Sequence, residues 1–487
     1  MSSMHAAPRS GAIISVLAAA GITVSLMQTL IVPLIASLPT LLHTAPANAF
    51  WAITATLLAG AVAMPVAGRL GDLYGKRRVM VASALLLAIG SLVCAPANSL
   101  IPMVIGRALQ GLGMGVIPLG IAIMRDVLPP QRLGAAIGLM SSSLGVGGAL
   151  GLPAAALVAQ YVSWHALFWA AAGLGLLMSV LILLIVPESP VKSPGRFDFV
   201  GAAGLGAGLV LLLLPISKGS DWGWTSGTTL GMFAASLVIL LLWGWWELRR
   251  PAPLIDLRTS ARRQVLMTNL ASIVIGFGMY AMSLITPQLL QLPTATGYGL
   301  GQSMVAAGLW MAPAGLVMMA ISPVAARLSA ARGPKTSLLL GTIVIASGYF
   351  LALGLMGHAW GVLVFSAVVS AGIGFAYAAM PSIIMSAVPL TETAAANGLN
   401  SLMRSIGTSS ASAVLGAILA NMTVKLGPVT LPSEAGFRTG FIIGGGVALL
   451  AALIVLTIPG RRAAAHRASG SPADVGQSAG IRSGRVS

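Results

Sequence analysis

Two arginines and one carboxylate carry most of the chemistry available to this sequence. Arg107 opens the run Arg107-Ala108-Leu109-Gln110-Gly111-Leu112-Gly113-Met114-Gly115, and Arg404 stands in another apolar stretch far along the chain. A cation inside an apolar run is costly and is a functional candidate by default. Gln110 lies three residues after Arg107, about one helical turn, so the pair offers a guanidinium and an amide to a solute or to neighbouring carbonyls. The carboxylate is Asp72, in Gly68-Arg69-Leu70-Gly71-Asp72-Leu73-Tyr74-Gly75-Lys76-Arg77-Arg78. A carboxylate near a helix N-terminus is favoured by the helix dipole, and the glycines permit a tight turn.

The remaining titratable residues limit the chemistry further. Asp72, Asp126, Glu188, Asp198, Asp221, Glu247, Asp256, Glu392, Glu434 and Asp474 all fall between apolar runs or at their edges, as do His5, His43, His165, His358 and His466. An enzyme needs a nucleophile, base or metal ligands gathered at one place, and the pattern offers none. No catalytic residue, metal or cofactor is expected. The single cysteine, Cys94, excludes an internal disulfide and a cysteine metal site. The chain has no phosphate-cradling G-x-x-x-x-G-K-[ST] stretch, so ATP is not the expected energy source.

The elements that must position these residues are membrane helices. Of 487 residues, 57% are hydrophobic and 8% charged, with mean hydropathy +0.94, whereas soluble domains carry about 25% charged residues. Runs of about 20 apolar residues place fourteen spans, at 11–36, 49–68, 79–97, 100–124, 134–159, 166–186, 199–217, 228–246, 265–287, 303–325, 336–356, 361–386, 396–421 and 440–459. The first run is too long for a signal-peptide core. With the N-terminus inside, 22 of the 27 Lys and Arg residues fall in inner segments, three in outer loops (Lys218, Lys425, Arg438), and two, Arg107 and Arg404, in the membrane. This bias predicts cytoplasmic termini and a cell inner membrane location. The net charge of +17 is spread over these short gaps, which argues against nucleic acid as a partner. The expected partners are the lipid bilayer and a small-molecule substrate, with a monomer as the unit.

The chain repeats itself. Pro65-Val66-Ala67-Gly68-Arg69-Leu70, running on to Gly75, returns 258 residues later as Pro323-Val324-Ala325-Ala326-Arg327-Leu328, running on to Gly333. Parallel halves of this kind build secondary transporters. Spans 1–6 and 9–14 then form two halves, with spans 7 and 8 an inserted pair. The domain boundaries expected are 1–190 for the first bundle, 191–263 for the inserted pair with its linkers, 264–460 for the second bundle, and 461–487 for a disordered cytoplasmic tail.

The stretch from Gly68 to Arg78 resembles the signature loop between spans 2 and 3 of the major facilitator superfamily, and Arg107 to Gly115 resembles that family's R-x-x-Q-G-x-G element. Gly145-Val146-Gly147-Gly148-Ala149-Leu150-Gly151-Leu152-Pro153, with Gly147, Gly151 and Pro153 as its candidate motif residues, is similar in part to the glycine–proline motif of its exporters; Leu152 separates the Gly-Pro pair, and Ala154-Ala155 replaces the trailing Gly-Gly. Asn400 to Gly407 resembles the start of the penultimate span in the fourteen-span drug-exporter branch. The resemblance implies an all-α membrane fold of two six-helix halves plus two inserted helices, and export of small amphipathic molecules such as antibiotics by alternating access. It implies a conformational latch of Gly68, Asp72, Gly75 and Arg78, with Asp72 held by Arg78, other basic residues and a neighbouring helix end. Ala330 stands opposite Asp72 in the second repeat, so the latch should be one-sided.

Gln28, Arg107, Gln110, Trp310, Tyr377 and Arg404 are the candidates for a substrate cavity. Relatives of the exporter branch carry an Asp in span 1 where Gln28 stands, and an amide cannot carry a proton, so weak or absent proton coupling through span 1 is expected. If Arg107 faces the cavity, it repels a second positive charge in a low-dielectric space, and neutral or anionic substrates are preferred. Two cavity arginines, Arg107 and Arg404, also favour a rival reading, an exchanger or facilitator of an anionic or neutral metabolite. A membrane enzyme and a nonconducting sensor are disfavoured.

Overall fold

The structure, a computed structural model, describes residues 6–31, 34, 37–426 and 429–459. The expected tail at 461–487 and the side chain of Arg9 lie outside the described residues. Among the described residues, fourteen helices are long and apolar enough to cross a membrane: Ser10–Thr29, Trp51–Tyr74, Lys76–Cys94, Leu100–Val127, Pro130–Tyr161, Trp164–Ile185, Phe199–Gly219, Gly227–Arg249, Arg263–Gln291, Met304–Arg332, Pro334–Leu355, Ala359–Met385, Leu390–Asn421 and Glu434–Leu456. These are spans 1–14 of a multi-pass membrane protein. In hydrocarbon every backbone N–H and C=O must be satisfied within its own segment, which is why each apolar run closes into a helix.

Spans 2 and 10 run on to Tyr74 and Arg332, past the expected ends at 68 and 325, and the span 13 α-helix begins at Thr393 rather than 396; spans 1 and 4 differ in another way. Span 1 was expected to continue to residue 36, but its helix stops at Thr29. Pro33 follows four residues later, and a proline cannot donate to that carbonyl. Span 4 is not one helix: Leu100–Leu112 gives way to a 3-10 turn at Gly113–Gly115 before helix resumes at Val116–Val127. The break falls on the glycines that follow Gln110. A Cβ on Gly111 would stand 2.5 Å from the Thr56 carbonyl oxygen, and one on Gly113 2.6 Å from that of Ser83. Glycine here permits span 4 to lie directly on spans 2 and 3.

Two principal cores follow, bridged by Leu144. One gathers Leu17, Val24, Met80, Leu119, Ile137 and Ile182 of spans 1–6; the other gathers Ile285, Tyr349, Phe365, Val369, Phe437 and Phe441 of spans 9–14. The two halves repeat in detail that the sequence match does not reveal. Spans 3 and 4 cross where Gly90 and Gly106 meet, and spans 11 and 12 cross where Gly341 and Gly372 meet; a Cβ on any of the four would lie 2.5 or 2.6 Å from a facing carbonyl oxygen. Small residues that let backbones touch are the usual means of packing helices without a hydrophobic driving force. The matching turns after spans 2 and 10 both use a glycine at positive φ, Gly75 at +115° and Gly333 at +91°.

The bundles join along spans 5 and 10, from Gly134 beside Ala326 to Gly308 against Pro153, and along spans 2 and 13. The inserted pair sits outside. Span 7 places Leu205, Leu209 and Leu213 in a cluster with Ala61 of span 2 and Leu402 of span 13. Span 8 leaves Leu237, Val238, Leu241 and Leu242 exposed, as a lipid-facing helix does. Before span 14, Thr423–Leu426 pairs antiparallel with Val429–Pro432, and the Tyr298 hydroxyl donates to the Pro432 carbonyl.

Candidate functional site

The chain turns sharply after span 2 because Gly75 adopts a left-handed φ, which L side chains rarely tolerate. The turn leaves Asp72 on the last turn of one helix and Lys76 on the first turn of the next, both fully buried. Lys76 Nζ lies 3.5 Å from Asp72 Oδ1 and 2.5 Å from Asp126 Oδ2 at the end of span 4. Asp126 Oδ2 also accepts from the Ser189 hydroxyl at 2.5 Å. A buried cation thus lies between two buried carboxylates, which is how such charges are tolerated away from water.

The Asp72 carboxylate reaches beyond its own bundle. Its two oxygens accept the backbone N–H groups of Ala394, at 3.2 Å, and Ala395, at 2.8 Å. These residues lie in the first turn of the span 13 helix, Thr393–Asn421, where N–H groups lack intrahelical acceptors and the dipole favours an anion. Gly68 makes the approach possible: a Cβ there would stand 2.4 Å from the Ala394 carbonyl oxygen. Arg125 adds a second tie, donating to Thr393 Oγ1 at 2.7 Å and to the Val388 carbonyl at 3.5 Å.

Gly68 and Asp72 therefore meet the start of span 13 together, and Gly75 makes the turn that follows, against Glu188. Arg78 does not join them. It is 73% exposed and lies 3.8 Å from Glu188 Oε2; the cation beside Asp72 is Lys76. Position 72 faces the start of span 13, whereas Arg78, six residues on, lies along the surface of span 3. The sequence motif places Lys76 only among the other basic residues of the latch, gives Asp126 only as a charge at the edge of a run, and gives Arg125 and Thr393 no site role. The available signal was the common membrane edge shared by Lys76, Arg125 and Asp126. In the second repeat, where Ala330 stands opposite Asp72, Lys335 donates to the Leu456 and Ile458 carbonyls at 2.8 and 2.5 Å, tying down the end of span 14 instead.

Arg107 and Gln110 were expected in a cavity; both are buried within the first bundle, at 2% and 1% exposure, where Gln110 lines a narrow gap with Gln28, Thr56 and Met114. Arg107 donates from Nε to the Ala52 carbonyl at 3.0 Å, and from Nη1 to the Met27 carbonyl at 3.0 Å and to Gln110 Oε1 at 2.7 Å. Gln110 passes the chain on to Ser91 Oγ at 2.7 Å, and Thr56 Oγ1 donates back to the Arg107 carbonyl at 3.0 Å. The early end of span 1 explains the arrangement. It leaves carbonyls in the last turn without helical donors, and Arg107 serves Met27 there. One side chain thereby knits spans 1, 2, 3 and 4.

Tyr377 is also buried, at 2% exposure, with its hydroxyl donating to Met279 Sδ at 3.1 Å. Arg404 covers its ring, the guanidinium carbon 5.0 Å from the centroid, and donates to Asn400 Oδ1 and Ser401 Oγ at 2.8 Å each. Asn400 in turn donates to Asn269 Oδ1 at 3.0 Å and Ser272 Oγ at 2.6 Å. Arg404 lies eleven residues into its helix, about 16 Å, so it stands at mid-depth. Of the six residues proposed for a cavity, Gln28, Trp310 and Arg404 keep partly exposed side chains. Gln28 donates to Met114 Sδ at 3.3 Å and Trp310 to Gln302 Oε1 at 3.2 Å.

The motif glycines of span 5 face span 1. A Cβ on Gly147 would meet Ser25 Cβ at 2.3 Å, and one on Gly151 would meet Thr29 Oγ1 at 2.1 Å, while Pro153 packs on Gly308 of span 10. A cavity of about 210 Å³ lies at the Asp72 end, lined by Arg69, Ser193, Asp256 and Glu392 with Pro194, Pro251 and Leu399. Asp256 caps the short helix Leu257–Ser260. Burial pushes its carboxyl up, but hydrogen bonds from the Thr259 hydroxyl and from the Thr259 and Arg258 amides, with the Arg258 charge, hold it below the usual range. No metal-holding group of three or more His, Cys, Asp or Glu occurs among the described residues.

The family model of the Major Facilitator Superfamily matches residues 17–412 and 292–484. Multidrug resistance protein Stp of Mycobacterium tuberculosis is 28% identical over 374 residues, covering 76% of this chain and 68% of that protein. A probable actinorhodin transporter of Streptomyces coelicolor is 28% identical over 382 residues, covering 76% and 65%. Multidrug transporter protein MdtP of Bacillus subtilis is 25% identical over 397 residues, covering 79% and 72%. The matched region thus spans about two thirds of the length of these relatives. Among solved structures, the human organic anion transporter MFSD10 superposes with TM-score 0.64 at 16% identity, covering 92% of this chain and 99% of that one. The proton:xylose symporter XylE does so with TM-score 0.64 at 14% identity, covering 94% and 97%.

Proposed function

The chain belongs to the major facilitator superfamily, and from that membership we propose that it is a secondary transporter that exports small amphipathic molecules by alternating access. The observation that carries the proposal is the bond between Asp72 and the first turn of span 13, which ties the two bundles at one end only. A breakable, charge-assisted contact at one end, added to the packing of span 5 on span 10 and span 2 on span 13, is the kind of bistable element that alternating access requires. The names of the relatives, two of them multidrug proteins and one an actinorhodin transporter, support drug-like cargo and efflux. The Lys and Arg bias supports a bacterial inner membrane with both termini and the Asp72 face cytoplasmic. The same reading keeps residues 1–190, 191–263 and 264–460 as first bundle, inserted pair and second bundle, and takes the monomer as the working unit, without catalysis.

The anionic-metabolite reading rested on two cavity arginines, and the burial of Arg107 removes half of that support. The deciding experiment is efflux from proteoliposomes loaded with neutral, cationic and anionic amphiphiles. Saturable efflux of at least one class is expected. No efflux of any class, with uptake of a compact metabolite instead, overturns the proposal.

A further inference from the structure

Residues 186–198 join span 6 to the inserted span 7, and they run directly beneath the Asp72 contact. Glu188 Oε1 accepts the Arg77 N–H at 3.1 Å. Ser189 donates to Asp126 at 2.5 Å. Ser193 does more. Its N–H donates to the backbone carbonyl of Asp72 at 2.7 Å. Its hydroxyl donates to the Thr391 carbonyl at 2.5 Å and accepts from Arg69 Nη1 at 3.4 Å. Thr391 sits in the 3-10 turn Leu390–Glu392 that leads into span 13.

The geometry closes a ring. Asp72 is in the last turn of span 2, so its carbonyl has no helical donor; Ser193 supplies one. The Asp72 side chain meanwhile holds Ala394 and Ala395. Ser193 thus touches both bundles, through Asp72 on one side and Thr391 on the other. Separation of the bundles at this end must break the Ser193–Thr391 bond as well as the carboxylate–amide pair and the Arg125 bonds to Thr393 and Val388. The strap that carries Ser193 ends at Asp198, which caps span 7 through the Gly201 N–H at 2.9 Å and accepts the Trp246 indole N–H of span 8 at 2.9 Å.

We propose that Ser193 is a positioning residue of the gate: it stabilises the conformer closed at the Asp72 end and ties the inserted helix pair to that closure. The inference rests on the alternating-access reading. Loss of one neutral hydrogen bond predicts a shift of about threefold to tenfold in the equilibrium between conformers.

The test is pulsed electron spin resonance on full-length protein in lipid nanodiscs. One label pair, Gln131→Cys with Ala331→Cys, spans the two bundles at the Asp72 end; the other, Ser99→Cys with Gly357→Cys, spans them at the opposite end. All four positions are exposed, and Cys94 is buried. Ser193→Ala should add a longer distance at the Asp72 end and a shorter one at the opposite end, by the stated factor, and Ser193→Thr should restore the parent distribution. A purely structural role broadens both pairs together without reciprocity, and that result overturns the proposal. Asp72→Asn serves as the reference. If it shifts the two pairs reciprocally and Ser193→Ala does not, the Ser193 inference alone fails. If Asp72→Asn leaves both pairs unmoved, the alternating-access reading fails and takes this inference with it.

Discussion

Asp72 and Ala395 are 323 residues apart in the chain, yet the carboxylate of one accepts the backbone N–H of the other at 2.8 Å. This contact is the shortest tie between Asp72 and the opposite bundle, and it uses features on both sides that are in place before they meet. Span 2 ends on a glycine that turns the chain, and span 13 begins with amides that lack acceptors.

Replacement of Asp72 by Asn removes the charge and leaves only one acceptor oxygen for two amides. Hydrogen bonds to charged groups contribute about 1.5–3 kcal/mol each, so the closed conformer should lose roughly tenfold or more in population. Transport should fall strongly while the amount of folded protein in the membrane stays near wild type, because Lys76 retains Asp126. Polar substitution of Ala330 should be tolerated. Equal transport rates for wild type and Asp72→Asn would remove the latch from the mechanism.

Arg107→Ala should act on stability rather than selectivity. The change strips a buried donor from the Ala52 and Met27 carbonyls and from Gln110, and unpaired buried acceptors cost about 1–3 kcal/mol each. A loss of roughly 3 kcal/mol or more is expected as a lowered unfolding midpoint in detergent. Arg107→Lys should recover less than half of it, since an ammonium lacks the guanidinium fork. The ratio of cation to neutral-substrate efflux should not move; a selective gain in cation transport would return Arg107 to the cavity.

Proton coupling should be weak or absent through span 1. Gln28 has no titrating group, and its amide donates to Met114 Sδ. Among the described residues every carboxylate lies at a helix end or in a loop. Transport should follow the substrate gradient, exchange, or the membrane potential, worth about 2.3 kcal/mol per charge at 100 mV. The check is reconstituted protein under a pH gradient with clamped voltage. Uphill movement of a non-titrating substrate driven by the pH gradient alone would contradict this and direct attention to Asp72 or Asp126.

The cap at Asp256 should make the linker after span 8 acid-sensitive. Its carboxyl is held below the usual range in the folded protein, so its contribution to stability is present above the ordinary carboxylate value near pH 4 and is lost as pH falls through the depressed value. Thermal unfolding midpoints measured from pH 6 down to 3 should decline for the wild type, and less so for Asp256→Asn. Equal declines would show that the cap contributes nothing to the acid response.

The fourteen spans, the gathering of the basic residues in alternate loops and the repeat of the Gly75 turn at Gly333 were all legible in the amino-acid order. Each is imposed locally: hydrocarbon requires every crossing segment to satisfy its own backbone and to be apolar over about 20 residues, and a φ of +115° or +91°, as at Gly75 and Gly333, strongly favours glycine. The grouping of Gly68, Asp72 and Gly75 was visible for the same reason, since a short segment holds them all. Side-chain partners were not visible, because they depend on which helices become neighbours and how closely. Arg107 reads as a cavity charge until the early end of span 1 brings the Met27 carbonyl to it. Arg78 reads as the partner of Asp72 until the Gly75 turn places Lys76 inside and Arg78 on the surface. The break in span 4 and the crossings at Gly90–Gly106 and Gly341–Gly372 follow from backbone-to-backbone contact, a distance that no single segment contains. Only the tertiary structure brings residues 72, 126, 193 and 394 to one point, since four separate segments must fold before any of them has a partner.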